Sequence, residues 1–141
     1  MVKNNNQVIT LKTVTDTDHK FLYELLENRD SRANISHKKM PTYRQHVKFV
    51  KSKPYSKWYV IMLSKEKVGS IYLSKTDEIG IFIQKNFQKQ NLGKSALKEL
   101  FKKNPRKRYL ANVNPKNQKS IQFFKNNGFN LIQYTFELEN S

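Results

Sequence analysis

The sequence contains no cysteine among its 141 residues and few acidic side chains. Without cysteine the protein forms neither a disulfide framework nor a thiolate metal site, and we expect it in the reducing cytoplasm. Its three histidines, His19, His37 and His46, lack the spacing of metal ligands, so we expect no bound metal. No apolar run approaches the roughly 20 residues of a membrane span, and the first residues lack a signal-peptide core. We therefore expect no membrane association.

The shortage of acid leaves 27 Lys and Arg against 11 Asp and Glu, a net charge of +16. Basic proteins attract nucleic acid. Here the excess is mostly lysine, and it is spread along the chain rather than gathered with aromatic residues. We therefore expect a solvated basic surface and no specific nucleic-acid partner, although a charge of this size favours any polyphosphate ligand.

Alternating and helical periodicities predict one α/β domain over residues 1–141, with loose termini at 1–7 and 139–141. The predicted order is a strand, two helices, three strands, a helix, a strand, a helix and one or two closing strands. The first strands along the chain form antiparallel hairpins, and a strand-helix-strand crossover follows them. This order indicates a mixed sheet with helices on both faces. The predicted strands are residues 8–14, 58–63, 68–73, 79–83, 108–113, 129–132 and 134–138, and the helices end near residues 28, 50, 103 and 126.

Residues 78–101 predict an anion-binding site, because an apolar strand passes through a short polar turn directly into an amphipathic helix. The first N–H groups of a helix have no partner within it, and they lie at its positive end. Phosphate oxygens bind well at such a position. The turn comprises residues 88–93, Gln-Lys-Gln-Asn-Leu-Gly.

This turn resembles the pyrophosphate loop of the GNAT acetyltransferases, whose pattern is Gln or Arg, two variable residues, Gly, one variable residue, then Gly or Ala. Gln88, Asn91 and Gly93 stand at the three defined positions. Asn replaces the first glycine, and among non-glycine residues Asn tolerates a positive φ best. Residues 109–129 are similar to the family's next strand, Asn-containing turn and helix ending in Gly-Phe, with Asn117 in the turn. The resemblance covers residues 8–137 and is strong over 78–129.

The resemblance implies the GNAT fold: a mixed, mostly antiparallel sheet of six to seven strands flanked by four helices. Two parallel strands, 79–83 and 108–113, are expected to splay apart and admit the pantetheine arm of acetyl-coenzyme A. The main chain of Ile81, Phe82 and Ile83 would bind the pantetheine amides. The pyrophosphate would be held by the backbone amides of Gln88, Lys89, Gln90, Asn91, Leu92, Gly93, Lys94 and Ser95, and the cofactor would also contact Asn117 and Phe124.

The resemblance also implies an N-acetyltransferase that acts on a primary amine, with Glu78 as general base at the start of the strand beside the cofactor. Many members carry a tyrosine general acid where this chain has Phe124, which has no proton to donate. The acid is then either absent or replaced by Tyr109, Tyr134 or solvent. Two alternatives stay open: Glu78 as an ordinary exposed strand end, and a family member that binds cofactor without chemistry.

The acceptor is expected in the link between the first two helices, where Arg32, Asn34 and His37 lie. The surrounding residues resemble a GNAT branch that acetylates nucleotide-linked amino sugars and includes ribosomal-protein acetyltransferases. Arg32 would contact the diphosphate and Asn34 the sugar, while His37 or His46 relays a proton. The alternatives are a protein N-terminus or lysine as acceptor, and a non-catalytic basic nucleic-acid-binding module. The sequence leaves open whether the chain is a monomer or a homodimer.

Overall fold

The computed structural model describes residues 8–29 and 39–140, and its elements follow the predicted order as far as the fourth helix. Residues 1–7 and 141, predicted to be loose termini, lie outside the described range. The helices are α1 (His19–Glu27), α2 (Tyr43–Lys51), α3 (Leu92–Lys103) and α4 (Gln118–Asn126). The strands are β1 (Ile9–Thr13), β2 (Lys57–Leu63), β3 (Glu66–Leu73), β4 (Glu78–Ile83) and β5 (Leu110–Ala111).

One sheet joins the strands in the order β1-β2-β3-β4-β5. β2, β3 and β4 follow one another through short turns and pair antiparallel, and β1 pairs antiparallel with β2. β4 and β5 pair in parallel, because the chain crosses over through α3 between them. The predicted mixed α/β architecture with four helices is confirmed.

The main hydrophobic core lies between the sheet and α3. Alternate strand positions point to this face, among them Ile61, Ile71 and Ile79, and α3 contributes Leu97 and Leu100 at helical spacing. All five side chains are almost completely buried. Burial of each such side chain stabilises the fold by about 1.5–3 kcal/mol. This packing fixes α3 against the sheet and thereby sets the position of its first turn.

The opposite face of the sheet carries a group of aromatic rings beneath α2. Phe49 of α2 packs edge-to-face on Tyr55 and Trp58. The Tyr55 ring stacks flat on that of Tyr72 in β3, with centroids 3.7 Å apart. Burial strongly raises the pKa of Tyr55. The stack holds the Tyr72 ring in a fixed position on the sheet.

Asp18 joins three parts of the fold through one buried carboxylate. It accepts hydrogen bonds from the Thr15 backbone N–H at 2.8 Å and from Lys12 Nζ at 2.9 Å, and it pairs with Lys67 Nζ at 2.8 Å. Lys12 belongs to β1 and Lys67 to β3, while Thr15 caps the turn into α1. Burial alone would raise the pKa of Asp18, but the bonds from Lys67, Thr15 and Lys12 outweigh it and lower the pKa to about 2.

The described chain forms five strands rather than the predicted six to seven. Residues 129–132 and 134–138 form no strand, and β5 covers two residues rather than 108–113, so these predictions are wrong. Strand composition does not make a strand without a hydrogen-bonding neighbour. β5 has such a neighbour only over those two residues, and from residue 130 onward the chain forms no hydrogen bond with the rest of the described residues.

We predict that Asp18→Asn lowers the free energy of unfolding at pH 7 by about 2 kcal/mol, which is the linkage equivalent of a pKa lowered from 3.8 to about 2. The folded pKa lies below the unfolded one. The contribution is therefore complete above about pH 4 and is lost as pH falls towards 2. Chemical denaturation over this range measures it.

Asp16→Asn is the matched control, because the Asp16 side chain is 87% exposed. It should change stability by less than about 0.5 kcal/mol. An Asp18→Asn deficit of the same size at neutral and at strongly acidic pH would contradict the role of this carboxylate.

Candidate functional site

A cleft of about 790 Å³ opens between β4 and the first turns of α3 and α4, with α1 at one end. The opening results from the way β4 and β5 pair. In the described chain, Glu78 lies opposite Leu110 and Ile79 opposite Ala111, whereas β4 continues to Ile83. On its other side, β4 stays paired with β3 throughout this length. Residues 80–83 therefore have one open edge, and the predicted splayed parallel strands are confirmed.

Peptide groups of alternate residues face this open edge. The Glu78 carbonyl accepts a 2.8 Å hydrogen bond from the residue after β3, and the Gln84 N–H donates a 2.9 Å bond to a β3 carbonyl. Even-numbered positions of β4 thus bond to β3, and the N–H and C=O of Ile81 face the cleft. The main chain of Phe82 therefore bonds to β3 and, contrary to the prediction, does not face the pantetheine arm. The Ile83 carbonyl accepts a hydrogen bond from Gln88 Nε2 at 2.8 Å, which ties the turn to the strand.

The polar turn forms a short 3-10 helix, Lys85–Gln90, and passes through Asn91 into α3. Asn91 has φ 59° and ψ 24°, a left-handed conformation that Asn tolerates better than most residues. The Asn91 side chain does not cap α3, so among the described residues the N–H groups of its first turn have no capping side chain. Together with the positive helix end, they form an arrangement suited to an anion.

Gly93 allows α3 and α4 to approach closely. A Cβ at this position would lie 2.8 Å from the Phe123 ring of α4, which is well inside contact distance. Asn117 caps α4 by accepting a hydrogen bond from the Ser120 N–H at 3.1 Å. Residues from the N-termini of both helices line the cleft, so two positive helix ends act on the same space.

The two ends of the cleft differ in charge. Lys85, Lys94 and Lys119 line the end formed by the turn and the two helix N-termini. Glu24 of α1 and Glu78 of β4 line the end formed by α1, β3 and β4. The lysines favour a polyphosphate, whereas the carboxylates favour a protonated amine.

Arg29 and two aromatic rings shape the carboxylate end. The Arg29 guanidinium lies over the Phe82 ring, 5.2 Å from its centroid, and burial lowers its pKa. The Tyr72 ring lies across Gly80 of the neighbouring strand so closely that a Cβ there would overlap it. Burial raises the pKa of Tyr72, and the charge of nearby Glu78 raises it further, so the hydroxyl retains its proton.

The structure brings most of the predicted cofactor residues together. Leu92 is instead buried in the core, while Gln90 and Ser95 are exposed outside the lining of the cleft. This does not contradict their predicted contacts, which use backbone amides. Lys89 lies in the 3-10 helix, and its side chain is outside the described structure. The predicted residues that line the cleft are Glu78, Ile81, Phe82, Ile83, Gln88, Asn91, Gly93, Lys94, Asn117 and Phe124.

The predicted acceptor residues Arg32, Asn34 and His37 lie outside the described residues, so their roles stay predictions. His46, suggested as a proton relay, is buried against the Tyr23 ring and does not line the cleft. Burial lowers the pKa of His46. His46 therefore packs between α1 and α2 rather than relaying a proton in the cleft.

Neither suggested tyrosine lines the cleft. The Tyr109 hydroxyl donates to the Asn104 carbonyl at 2.7 Å, and Tyr134 is 76% exposed. Tyr72 is the tyrosine on the described cleft wall. Sequence reasoning missed it because its position over Gly80 depends on the register between β3 and β4, which the alternation of apolar residues alone does not fix.

No helix within residues 8–29 and 39–140 is long and apolar enough to cross a membrane. Over the same residues, no three His, Asp or Glu side chains come together as potential metal ligands.

A scan of protein families matches residues 20–129 to the acetyltransferase (GNAT) family. Among solved structures, an acetyltransferase from Thermus thermophilus is 21% identical, with 89% of each chain covered and a TM-score of 0.71. RimL, a ribosomal alpha-N-protein acetyltransferase in complex with coenzyme A, is 17% identical, with 92% of this chain and 83% of that chain covered and a TM-score of 0.69. A mutant of the spermidine N-acetyltransferase SpeG from Vibrio cholerae is 16% identical, with 89% and 80% covered and a TM-score of 0.68. A search of curated proteins found no match.

The similar solved structures show the fold of the chain, and the family match shows which family it belongs to. It covers most of the chain and includes the open edge of β4, the polar turn, both helix N-termini and the carboxylates of the cleft. The chain therefore belongs to the GNAT family of acetyltransferases, as its sequence motifs predicted, and is an N-acetyltransferase.

Proposed function

We propose that this protein transfers the acetyl group of acetyl-coenzyme A to a primary amine of a small acceptor. The observation that carries the proposal is the open edge of β4 at residues 80–83, which leads directly into the turn and the uncapped start of α3. A free strand edge pairs with an extended amide chain, and helix N-termini bind phosphates. Coenzyme A carries both groups in one molecule.

The residues present fit this cofactor. The main chain of Ile81 can pair with the pantetheine amides, while the N–H groups after Asn91 and the charge of Lys94 can hold the diphosphate. Asn117 and Lys119 add contacts from the start of α4. When bound, acetyl-coenzyme A supplies an acetyl thioester that an amine converts to an amide, releasing the free thiol.

Two side chains at the start of the open edge can accept and donate the protons that the reaction transfers. An acceptor amine is mostly protonated near neutral pH and must lose a proton before it reacts. The half-buried Glu78 carboxylate can take that proton, directly or through water. The Tyr72 hydroxyl lies over Gly80 and retains its own proton, so it can donate where Phe124 cannot.

Charge at the acceptor end favours a cationic amine. Glu24, Glu78 and Arg29 all line the cleft, two carboxylates against one guanidinium, in a chain with only 11 acidic residues. This supports a diamine or polyamine, the kind of acceptor named for SpeG, or a protein amino group, the kind named for RimL. A nucleotide-linked amino sugar remains the alternative, and Arg32 would have to supply its diphosphate contact.

We predict that Asn91→Gly leaves the coenzyme A dissociation constant unchanged, whereas Asn91→Val weakens binding roughly tenfold. A β-branched residue in the left-handed conformation costs about 1–2 kcal/mol, and that strain shifts the turn that presents the N–H groups. Isothermal titration calorimetry measures both variants.

Ser64→Val is the matched control, because Ser64 has a similar positive φ of 55° in the turn between β2 and β3. It should lower stability and leave coenzyme A affinity intact. If Asn91→Gly lost affinity while Asn91→Val retained it, the proposed role of the turn geometry would be wrong.

We predict that Glu78→Gln lowers kcat about 10²- to 10⁴-fold, because a carboxamide cannot accept the ammonium proton. Its coenzyme A affinity should stay unchanged. Thiol release is followed first for the unmodified protein with a polyamine, a nucleotide-linked amino sugar and an N-terminal peptide, and then for the variant with the best acceptor.

Glu66→Gln is the control, since Glu66 also begins a strand but is exposed outside the lining of the cleft. It should retain full activity. A normal kcat for Glu78→Gln would refute the base assignment. An absence of thiol release with every amine would contradict the proposed reaction itself.

A further inference from the structure

The last described part of the chain carries a group of large apolar side chains that the other described residues do not cover. We call residues 130–140 the tail. A contiguous exposed group of this kind marks an interaction surface, unlike single scattered apolar residues. Five side chains of the tail are 66% to 90% exposed: Leu131, Ile132, Tyr134, Phe136 and Leu138.

The tail has the pattern of a β-strand without a neighbour. From residue 134 onward, apolar residues alternate with Thr135 and Glu137, so one face of an extended chain is apolar. The rings of Tyr134 and Phe136 stack at 6.4 Å between centroids, as two side chains on one strand face can. The start of the tail is fixed, because the preceding Phe129 packs on Phe124 at the end of α4.

Within residues 8–29 and 39–140, the sheet has an uncovered edge at β5. The sheet ends there, and the side chains of Leu110, Ala111 and Val113 are only half-buried. Residues 108–113 have strand composition but pair over two residues alone. A strand added to the outer edge would supply the missing partner, and its apolar face would cover these side chains.

Charge makes the tail and this edge complementary. Residues 129–141 contain no Lys or Arg, although the chain has 27 of them, and the tail includes Glu137 and Glu139. Lys107 and Arg108 are exposed immediately before β5. Antiparallel pairing would place the acidic end of the tail beside these cations.

We propose that two copies of this chain exchange tails, each tail adding an antiparallel strand to the β5 edge of the other copy. The tail leaves its own domain without a hydrogen bond to the described chain, whereas a second copy offers the matching edge and supplies the same tail in return. In a two-fold exchange, each β5 edge pairs with the tail of the other copy, so no edge is left to bind a third copy.

The area involved is adequate for a stable dimer. The two rings of one tail expose roughly 300 Å², and its three aliphatic side chains add a comparable amount. Two exchanged tails would bury about 1,200 Å², which is within the range of specific interfaces. This inference does not depend on the proposed acceptor or on the catalytic residues.

Light scattering on the full chain tests the exchange. The unmodified protein should have twice the chain mass of 16.8 kDa, and Phe136→Asp should have the mass of one chain. Val8→Asp changes another exposed apolar residue, next to β1, and should remain a dimer. An unmodified protein that is monomeric at every concentration, or a Phe136→Asp variant that stays dimeric, would overturn the proposal.

Cross-linking distinguishes exchange from a tail that folds back on its own β5. Because the chain lacks cysteine, Lys107→Cys and Glu139→Cys variants each contain one thiol. A short bis-maleimide should join the two variants when they are mixed and should leave each variant alone uncross-linked. If the double variant cross-links only within a single chain, the tail pairs with its own domain and the proposal is wrong.

Discussion

The architecture of the cleft depends on the unequal pairing of β4, which is held along its whole length by β3 but by β5 only at its start. The β3 pairing keeps residues 80–83 extended, so their outward peptide groups need no reorganisation to bind an amide chain. Core packing of α3 fixes the turn at the end of that edge. Groups held in place before binding avoid the entropy cost of ordering them, which is how a modest number of backbone contacts can bind a long cofactor.

In the proposed function, local charge rather than net charge determines what the cleft binds. A chain of +16 attracts many anions, but in the cleft the lysines lie near the two helix N-termini and the Glu78 carboxylate lies near Tyr72. In the proposed function, Tyr72 donates the proton that Phe124 cannot supply. Tyr72 reaches the start of the open edge from the neighbouring strand, because Gly80 leaves room for its ring.

Local signals in the sequence predicted much of this structure. The polar turn, its αL residue Asn91 and the turn with Asn117 before α4 each depend on a few consecutive residues, so short motifs identify them. Features that depend on distant pairing were missed. Tyr72 requires the β3–β4 register, and the predicted closing strands require a neighbour that the chain does not provide within its own described domain.

The most direct test of the account is whether the protein recognises the pantetheine arm as well as the phosphates. We would measure the shift in melting temperature with acetyl-coenzyme A, 3′,5′-ADP and ATP, in enough salt to screen the net charge. The account predicts a clearly larger shift with acetyl-coenzyme A, because only this ligand can pair with the open edge of β4. Equal shifts with all three ligands would contradict it and would indicate general phosphate attraction.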